Sequence, residues 1–435
     1  MGTQFRNLQG LRGIACLLVL GIHTAGWEAN FGIAREFLRP FLWFGYGGVD
    51  LFFVISGFII AYTQAGSFGK PTAIPRYLVR RAWRIYPAFW AMMLIAVPLT
   101  NTVLAPFPGA PWFSWLTLTP HAFPNGYLPP AWTMNYELCF YAAFATLMLL
   151  PRRIAPLPLL AWAAVVVWVE AVKADDSFYA ATFAATFSSP LILEFLLGVC
   201  VAAGVRRGFA GWGRTAIAVG IVWAACGIVL CHPGGVPYAL GMKVMARAFV
   251  FGPASALLVY GVIAAEKSGT LKFPKWLCAT GDASYSIYLW HAPIGICLHC
   301  SILWWPHHTA PHLAWIALML AVCWGGGMLF HRLVERPLLN LAKRKPKAAA
   351  PSEPEIVEAR IAVPLLHEER QLLEFGLRAL GNRAEHVDLE RLPHAVPADV
   401  LQPPVDDELI FPGYPELGSR SDFDAGLSRV DGDRH

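Results

Sequence analysis

A basic residue and an imidazole stand at the two ends of the first apolar segment of the chain. Arg12 and His23 are eleven residues apart. In an α-helix, at about 100° and 1.5 Å per residue, this spacing places both side chains on one face, roughly 16 Å apart. An ionisable side chain inside a membrane helix is costly and usually functional, and a neutral imidazole can take the proton from a hydroxyl group. The pair therefore indicates a path along which a chemical group is transferred. The cation lies at the entrance of this path, and the imidazole lies deeper in the membrane and can act as a base.

Four other ionisable residues also fall within apolar stretches, namely Asp50, Glu137, Glu194 and His291. Each of them requires a partner or an aqueous cavity. Asp50 and Glu137 are candidates to orient His23 or to contact an acceptor, and a structural hydrogen-bond role is an equal alternative for both. The spacing along the chain does not decide which carboxylate meets His23.

The composition excludes an ordinary soluble domain. Hydrophobic residues make up 56% of the chain and charged residues only 14%, whereas soluble domains average about 25% charged residues. We therefore predict an all-α polytopic membrane protein, a bundle of about ten transmembrane helices. The predicted spans are approximately 8–27, 43–64, 84–104, 132–150, 157–174, 181–204, 213–231, 242–265, 282–304 and 312–332.

Most Lys and Arg residues fall on one side of this predicted topology. The exceptions are Arg35, Arg39 and Lys173, with Lys243 and Arg247 at an outer helix end. We predict a protein of the bacterial inner membrane. Because translocation across the membrane disfavours basic residues, the asymmetry predicts that both termini lie on its cytoplasmic side. The net charge of +5 reflects this topology and does not indicate nucleic-acid binding. The first apolar segment lacks a small-residue cleavage site and is predicted to be a retained helix.

A change in composition divides the chain into two parts. Residues 1–342 form the predicted membrane domain, and residues 343–435 form a polar, proline-rich segment. Within that segment, residues 365–380 have helical apolar spacing. We predict a largely disordered cytoplasmic tail.

Two pairs of basic residues are candidate anion-binding groups. Arg81 and Arg84 are three residues apart at the cytoplasmic start of the third predicted span, where their planar guanidinium groups suit the binding of phosphate. Charge placed at a helix end for topology alone is the alternative. Lys243 and Arg247 lie one helical turn apart and suit an anionic acceptor, although snorkelling to lipid headgroups is the commoner explanation.

Cysteine and histidine residues cluster around the last predicted outer turn, but their spacing matches no firm zinc pattern. We predict no metal site there. The residues concerned are Cys297, His299, Cys300, His307, His308 and His312.

Five sequence blocks together resemble the membrane acyltransferase-3 family. They are NLQGLRGIACLLVLGIH at 7–23, GGVDLFFVISGF at 47–58, RRAWRIYP at 80–87, AWTMNYELCFY at 131–141 and GDASYSIYLWH at 281–291, with ERP at 335–337 closing the last helix. Their order and spread over the membrane domain make the resemblance specific. It implies an integral enzyme that uses cytoplasmic acyl-CoA to acylate sugars or other acceptors.

The resemblance also implies roles for individual residues. His23 is the expected catalytic residue, and Arg12 is expected to handle the donor, as are Arg81 and Arg84. Trp132, Glu194 and His291 are expected substrate-binding residues. The segments 132–137 and 190–198 are similar to those of members that decorate exopolysaccharides, although some relatives have an arginine where this chain has Leu191.

The expected function is thus the transfer of an acyl group, expected to be acetyl, from acyl-CoA to a hydroxyl of an exported or cell-surface polysaccharide or its lipid-linked precursor. His23 either activates the hydroxyl directly or carries the acyl group transiently, and the sequence leaves both routes open. A transporter whose buried charges line a solute path is the alternative. A membrane sensor or scaffold would leave the embedded histidine unexplained. The oligomeric state is not predicted.

Overall fold

The computed structural model describes residues 5–29, 38–103, 112–119, 128–173, 182–230, 244–303 and 312–343. Within these ranges the chain is helical and contains no β-strand, which confirms the predicted all-α class. Lys243 and the predicted tail beyond residue 343 lie outside the described residues, so the division into a membrane domain and a tail stays a prediction.

The described residues form fifteen α-helices. In chain order they are α1 (Arg6–Ala29), α2 (Arg39–Leu42), α3 (Gly47–Thr63), α4 (Ala73–Val103), α5 (Trp112–Thr117), α6 (Trp132–Leu147), α7 (Pro156–Val172), α8 (Phe183–Phe187), α9 (Ile192–Arg206), α10 (Gly213–Leu230), α11 (Val244–Lys267), α12 (Lys275–Asp282), α13 (Ser284–Leu303), α14 (His312–Phe330) and α15 (Arg336–Lys343). A 3₁₀ turn, Pro129–Ala131, precedes α6. A π-helical turn, His331–Glu335, joins α14 to α15.

Five of the described helical segments are long and apolar enough to cross a membrane. They are Arg6–Glu28, Ala73–Asn101, Gly213–Leu230, Val244–Lys267 and Leu313–Leu341. The apolar helices α3 and α7 are shorter. A helix lies within each of the ten predicted spans, but a count of ten membrane crossings remains a prediction. The chain is a helical membrane protein.

Two boundaries differ from those predicted. The third span was placed at 84–104, whereas α4 begins at Ala73, because basic residues such as Arg76 lower the hydropathy of the first turns without ending the helix. The sixth span, 181–204, is divided into α8 and α9. The division falls at Pro190, which has no N–H to donate to the preceding turn.

Stacked aromatic rings fix three of the helices against one another. Phe195 of α9 stacks on Phe53 of α3 and on Phe140 of α6, with both ring-centroid distances at 4.7 Å. The backbones of α3 and α9 approach closely at Gly57 and Gly198. A Cβ atom on Gly57 would lie 2.8 Å from the carbonyl carbon of Phe195, so no larger residue fits without displacing the backbone. Small residues permit such close helix packing in membranes.

The start of α1 is anchored by a carboxylate from another helix. The backbone N–H groups of Arg6 and Asn7 donate to the two oxygens of Glu266 at 2.7 Å and 3.0 Å. These N–H groups belong to the first turn of α1 and have no partner within the helix, and a negative charge stabilises a helix N-terminus. The contact fixes the depth at which α1 holds Arg12 and His23.

Candidate active site

His23 presents one free basic nitrogen. Its Nδ1 atom lies 2.8 Å from the carbonyl oxygen of Val19, one turn earlier on α1. Because a carbonyl only accepts hydrogen bonds, Nδ1 carries the proton and Nε2 keeps its lone pair. The side chain is exposed, and in the described part of the chain Nε2 has no hydrogen-bond partner. The ring is thus oriented as a proton acceptor and is not sealed among alkyl groups.

A second imidazole lies directly beside His23. The ring of His291, on α13, meets it edge to face with a centroid distance of 4.8 Å and an interplanar angle of 71°. His291 is only 1% exposed, and its Nδ1 atom donates to the carbonyls of Tyr288 at 2.8 Å and Ile287 at 3.2 Å. Its Nε2 atom is buried without a hydrogen-bond partner among the residues described.

A cavity lies between α1, α3, α4, α6 and α13. The cavity combines a cationic lining with an apolar wall. Its polar lining is Arg12, Ser56, Arg81, Arg84, Thr133, Glu137, Tyr141, Ser284, Tyr285 and Tyr288, and its apolar lining is Val49, Phe52, Phe53, Ile55, Ile59, Ile60, Ile85 and Met134.

One buried apolar cluster contains both a residue that lines the cavity and the residue that holds His23. His23 does not line the cavity. Val49 does, and it belongs to the same buried cluster as Val19, whose carbonyl holds His23. Because α1 packs against α3, His23 is on a helix that forms the cavity wall.

Arg12 is held in place by neutral groups. Its guanidinium donates to the hydroxyl of Ser284 at 2.9 Å and to the side-chain oxygen of Gln9 at 3.1 Å. No carboxylate lies within ion-pair distance of Arg12 among the described residues. Its positive charge is therefore available to an anionic ligand in the cavity.

Arg81 is likewise without a described carboxylate partner. Its guanidinium lies 5.6 Å from the ring centroids of both Tyr77 and Tyr141, and its Nε atom is buried with no hydrogen-bond partner. Cation–π contacts of this kind hold the side chain without neutralising its charge. A guanidinium that lines a cationic cavity and has an unpaired N–H donor suits the oxygen atoms of a phosphate.

Arg84 has a different environment, because it forms an ion pair with Glu335. The carboxylate of Glu335 is 1% exposed and also accepts hydrogen bonds from Ser286 at 2.6 Å and from Nδ1 of His331 at 2.7 Å. His331 and Glu335 are both on the π-helical turn. Such turns occur often at functional sites, and here the turn holds the carboxylate that pairs with Arg84, a residue that lines the cavity.

Glu137 is satisfied within the cavity by two hydroxyl groups. Its oxygens accept hydrogen bonds from Ser56 at 2.9 Å and from Tyr141 at 3.2 Å. The contact with Ser56 joins α3 to α6, whereas the contact with Tyr141 lies within α6. The structure does not place Glu137 against His23, and its catalytic role stays a prediction.

Asp50 pairs with Arg247, and the exposed fractions of the two side chains are 0% and 1%. The guanidinium donates through Nε at 3.0 Å and through Nη2 at 2.8 Å, which ties α3 to α11. Glu194 of α9 is also fully buried and lies beside this pair. The described structure therefore uses Asp50 to hold Arg247, and neither Asp50 nor Glu194 contacts His23.

Three other sequence predictions remain untested. Trp132 is partly buried and packs edge-on against Tyr136, with ring centroids 5.8 Å apart, and it does not line the cavity. Lys243 lies outside the described residues, so its expected pairing with Arg247 at an acceptor site stays a prediction. The described His, Cys, Asp and Glu side chains include no group of three that could hold a metal ion.

Sequence reasoning missed the partners that organise the cavity. Glu335 stood in a recognised motif but received no role, and Ser284 and Ser286 were not singled out. The one available signal was an acidic residue among the basic residues that follow the last predicted span. Glu335 and Arg84 are 251 residues apart in sequence. Their pairing therefore depends on how distant helices pack against each other.

These features define a class of protein: a helical membrane protein with a cation-lined cavity and an exposed imidazole on one of the helices that form it. A family model described as an acyltransferase domain matches residues 5–331, a range that includes His23 and every residue that lines the cavity. The chain belongs to the acyltransferase-3 family and is an acyltransferase.

Two characterised sequences illustrate its similarity to known proteins. The chain is 29% identical over 326 residues to the exopolysaccharide production protein ExoZ of Rhizobium meliloti (strain 1021), covering 69% of this chain and 92% of that protein. It is 27% identical over 382 residues to the acyltransferase MdmB of Streptomyces mycarofaciens, covering 79% of this chain and 94% of that protein. No solved structure gives a significant match.

Proposed function

We propose that this acyltransferase moves an acetyl group from cytoplasmic acetyl-CoA to a hydroxyl of an exported or cell-surface polysaccharide or its lipid-linked precursor. The single observation that carries the proposal is a cavity with two guanidinium groups, Arg12 and Arg81, that have no described carboxylate partner. An anionic donor suits this cavity, and the base His23 stands on the same helix as Arg12.

In this proposal the phosphates of the donor bind Arg12 and Arg81. Charge-assisted hydrogen bonds from guanidinium to phosphate are among the stronger polar contacts in proteins. Arg84, held by Glu335, shapes the edge of the site. The apolar wall that contains Val49 receives the pantetheine arm and leads the thioester towards His23.

The acceptor reaches His23 from the opposite side of the membrane. The exposed side chain of His23 supports this arrangement, because a hydroxyl can approach Nε2 without displacing a described hydrogen-bond partner. A polysaccharide acceptor is supported by the similarity to a protein named for exopolysaccharide production. The lipid-linked form of the acceptor and the bacterial inner membrane, with both termini cytoplasmic, belong to the same proposal.

The reaction needs one proton acceptor and one proton donor. Nε2 of His23 takes the proton of the acceptor hydroxyl while the oxygen attacks the thioester carbonyl carbon. The carbon–sulfur bond then breaks, and the proton passes to the sulfur to give free coenzyme A. General-base catalysis of this kind contributes about 10²- to 10⁴-fold to a rate. A route through an acyl-histidine is chemically open to the same nitrogen, and trapping that adduct would distinguish the two.

The proposal is tested with purified protein in lipid nanodiscs, acetyl-CoA radiolabelled in its acetyl group, and isolated exopolysaccharide. We expect label in the polysaccharide and an equal amount of free coenzyme A. Permethylated polysaccharide, which lacks free hydroxyls, is the matched control and should receive no label. Glycan entry into proteoliposomes without any donor, together with no release of coenzyme A, would contradict the proposal and favour a transporter.

A further inference from the structure

The carboxyl group of Glu194 is buried against another carboxyl group. Its side chain is 0% exposed, and neither of its oxygens accepts a hydrogen bond from an N–H or O–H group of the described residues. It lies instead in hydrogen-bond contact with the carboxyl of Asp50. We infer that Asp50 and Glu194 share one proton, which Glu194 carries as a neutral acid whose O–H group donates to Asp50. This inference does not depend on the proposed function.

A contact between two carboxyl groups requires a proton between them. An ionised carboxylate only accepts hydrogen bonds, so two carboxylates cannot bond to each other. A protonated carboxylic acid has one O–H donor, and its hydrogen bond to a carboxylate is charge-assisted. Two carboxyl groups in contact also do not both ionise, because like charges repel each other. A single shared proton removes the repulsion and supplies the missing donor.

The ion pair with Arg247 determines which of the two carboxyl groups stays ionised. Nε of Arg247 donates to both oxygens of Asp50, at 3.0 Å and 3.2 Å, and Nη2 donates to one of them at 2.8 Å. Hydrogen bonds from a cation favour the charged form of a carboxyl group. Glu194 receives no such bond within the described structure. The proton therefore resides on Glu194.

The surroundings of Glu194 do not suit a second negative charge. Its helix, α9, packs against α3, α6, α7 and α11, and a Cβ atom on Gly252 of α11 would lie 3.4 Å from Cγ of Glu194. Besides Asp50 and Arg247, the phenol of Tyr136 is the described titratable group that faces it. A buried carboxyl group without a donor takes up a proton rather than stay ionised. The inference thus assigns Glu194 to the contact between α3, α9 and α11 rather than to a substrate.

The experiment replaces one acid by its neutral amide at two positions. Glu194→Gln keeps a donor and an acceptor in the same space. Glu170→Gln is the matched control, because Glu170 of α7 forms an ion pair with Lys173 at 2.6 Å, so its replacement removes an ionised carboxylate. Infrared difference spectra of the purified full-length proteins, in a detergent without ester groups at neutral pH, detect the C=O stretch of a protonated carboxylic acid. Wild-type protein with ¹³C in its glutamate side-chain carboxyls identifies the residue type that carries the proton.

We expect Glu194→Gln to lose a protonated-acid band that wild-type protein and Glu170→Gln both show. Glutamate labelling should move this band to lower frequency. Glu194→Gln should unfold within about 2 °C of wild type, because the amide still donates to Asp50.

Three results would overturn the inference. Identical spectra for wild type and Glu194→Gln would show that both carboxyl groups are ionised. A band that glutamate labelling does not move would place the proton on Asp50. Failure of Glu194→Gln to fold would show that the negative charge of Glu194 is needed. These measurements use neither donor nor acceptor, so none of the three results bears on acetyl transfer.

Discussion

Arg81 and Arg84 line the same cavity one turn apart on α4, but the described structure neutralises only Arg84. Glu335 forms an ion pair with Arg84, whereas Arg81 is held by tyrosine rings. The spacing of the two arginines, taken alone, suggests two equivalent phosphate ligands. In the proposed function Arg81 therefore binds the donor, whereas the ion pair of Arg84 joins α4 to the π-helical turn.

Replacing Arg81 with Gln should weaken donor binding without harming the fold. The variant loses a charge-assisted contact to phosphate, so we expect KM for acetyl-CoA to rise about 10- to 100-fold at unchanged thermal stability. Steady-state kinetics with varied acetyl-CoA provide the measurement. Arg80→Gln, at the exposed neighbouring position, is the control. Equal KM values for the two variants would contradict the assignment of Arg81 to the donor.

The ion pair between Arg84 and Glu335 should matter mainly for stability. Glu335→Leu leaves Arg84 without its counter-ion, and we expect a loss of about 2–3 kcal/mol in the free energy of unfolding. In Arg84→Met/Glu335→Leu both charges are gone, so the double variant should lose less than the sum of the single variants. Thermal unfolding in detergent measures the coupling. Strictly additive losses would show that the two side chains do not stabilise each other.

Much of the fold follows from hydropathy, because a membrane helix needs a long apolar stretch whatever its neighbours. A helix therefore lies in every predicted span. The early start of α4 at Ala73 was missed because its first turns carry Arg76 and other basic residues, which lower the local hydropathy. The division at Pro190 was missed because apolar residues continue on both sides of the proline.

The site was predictable only where its residues lie close together in sequence. The spacing of Arg12 and His23 is set by one helix and could be read directly. The partners of Asp50 and His23 could not, because Arg247 and His291 lie on helices far along the chain. Side-chain pairing across helices depends on rotation and depth, which local periodicity does not encode.

The buried pair of Asp50 and Arg247 provides a test of whether Arg247 is structural. Arg247→Met leaves a buried carboxylate without its cation, and we expect a loss of about 3–5 kcal/mol in stability. In Asp50→Leu/Arg247→Met both charges are removed, so the amount of folded protein in the membrane should recover. Size-exclusion profiles of the solubilised variants measure the amount of folded protein. A folded double variant with a raised KM for polysaccharide would instead assign Arg247 to the acceptor.

Removing the predicted tail should leave the chemistry intact. The family model ends at residue 331, and every cavity residue precedes Lys347. We expect a chain truncated after Lys347 to transfer acetyl within twofold of the full-length rate under the assay described above. Loss of transfer at normal membrane abundance would show that the tail takes part in the reaction and would overturn the proposed division of the chain.

The most direct measurement of the central claim is acetyl transfer by His23→Gln in the purified system. A Gln side chain fills similar space but cannot accept a proton near neutral pH, so kcat should fall about 10²- to 10⁴-fold. KM for acetyl-CoA and thermal stability should stay as in wild-type protein, because Arg12 and Arg81 remain in place. Transfer by His23→Gln at the wild-type rate would contradict the claim that this imidazole is the base.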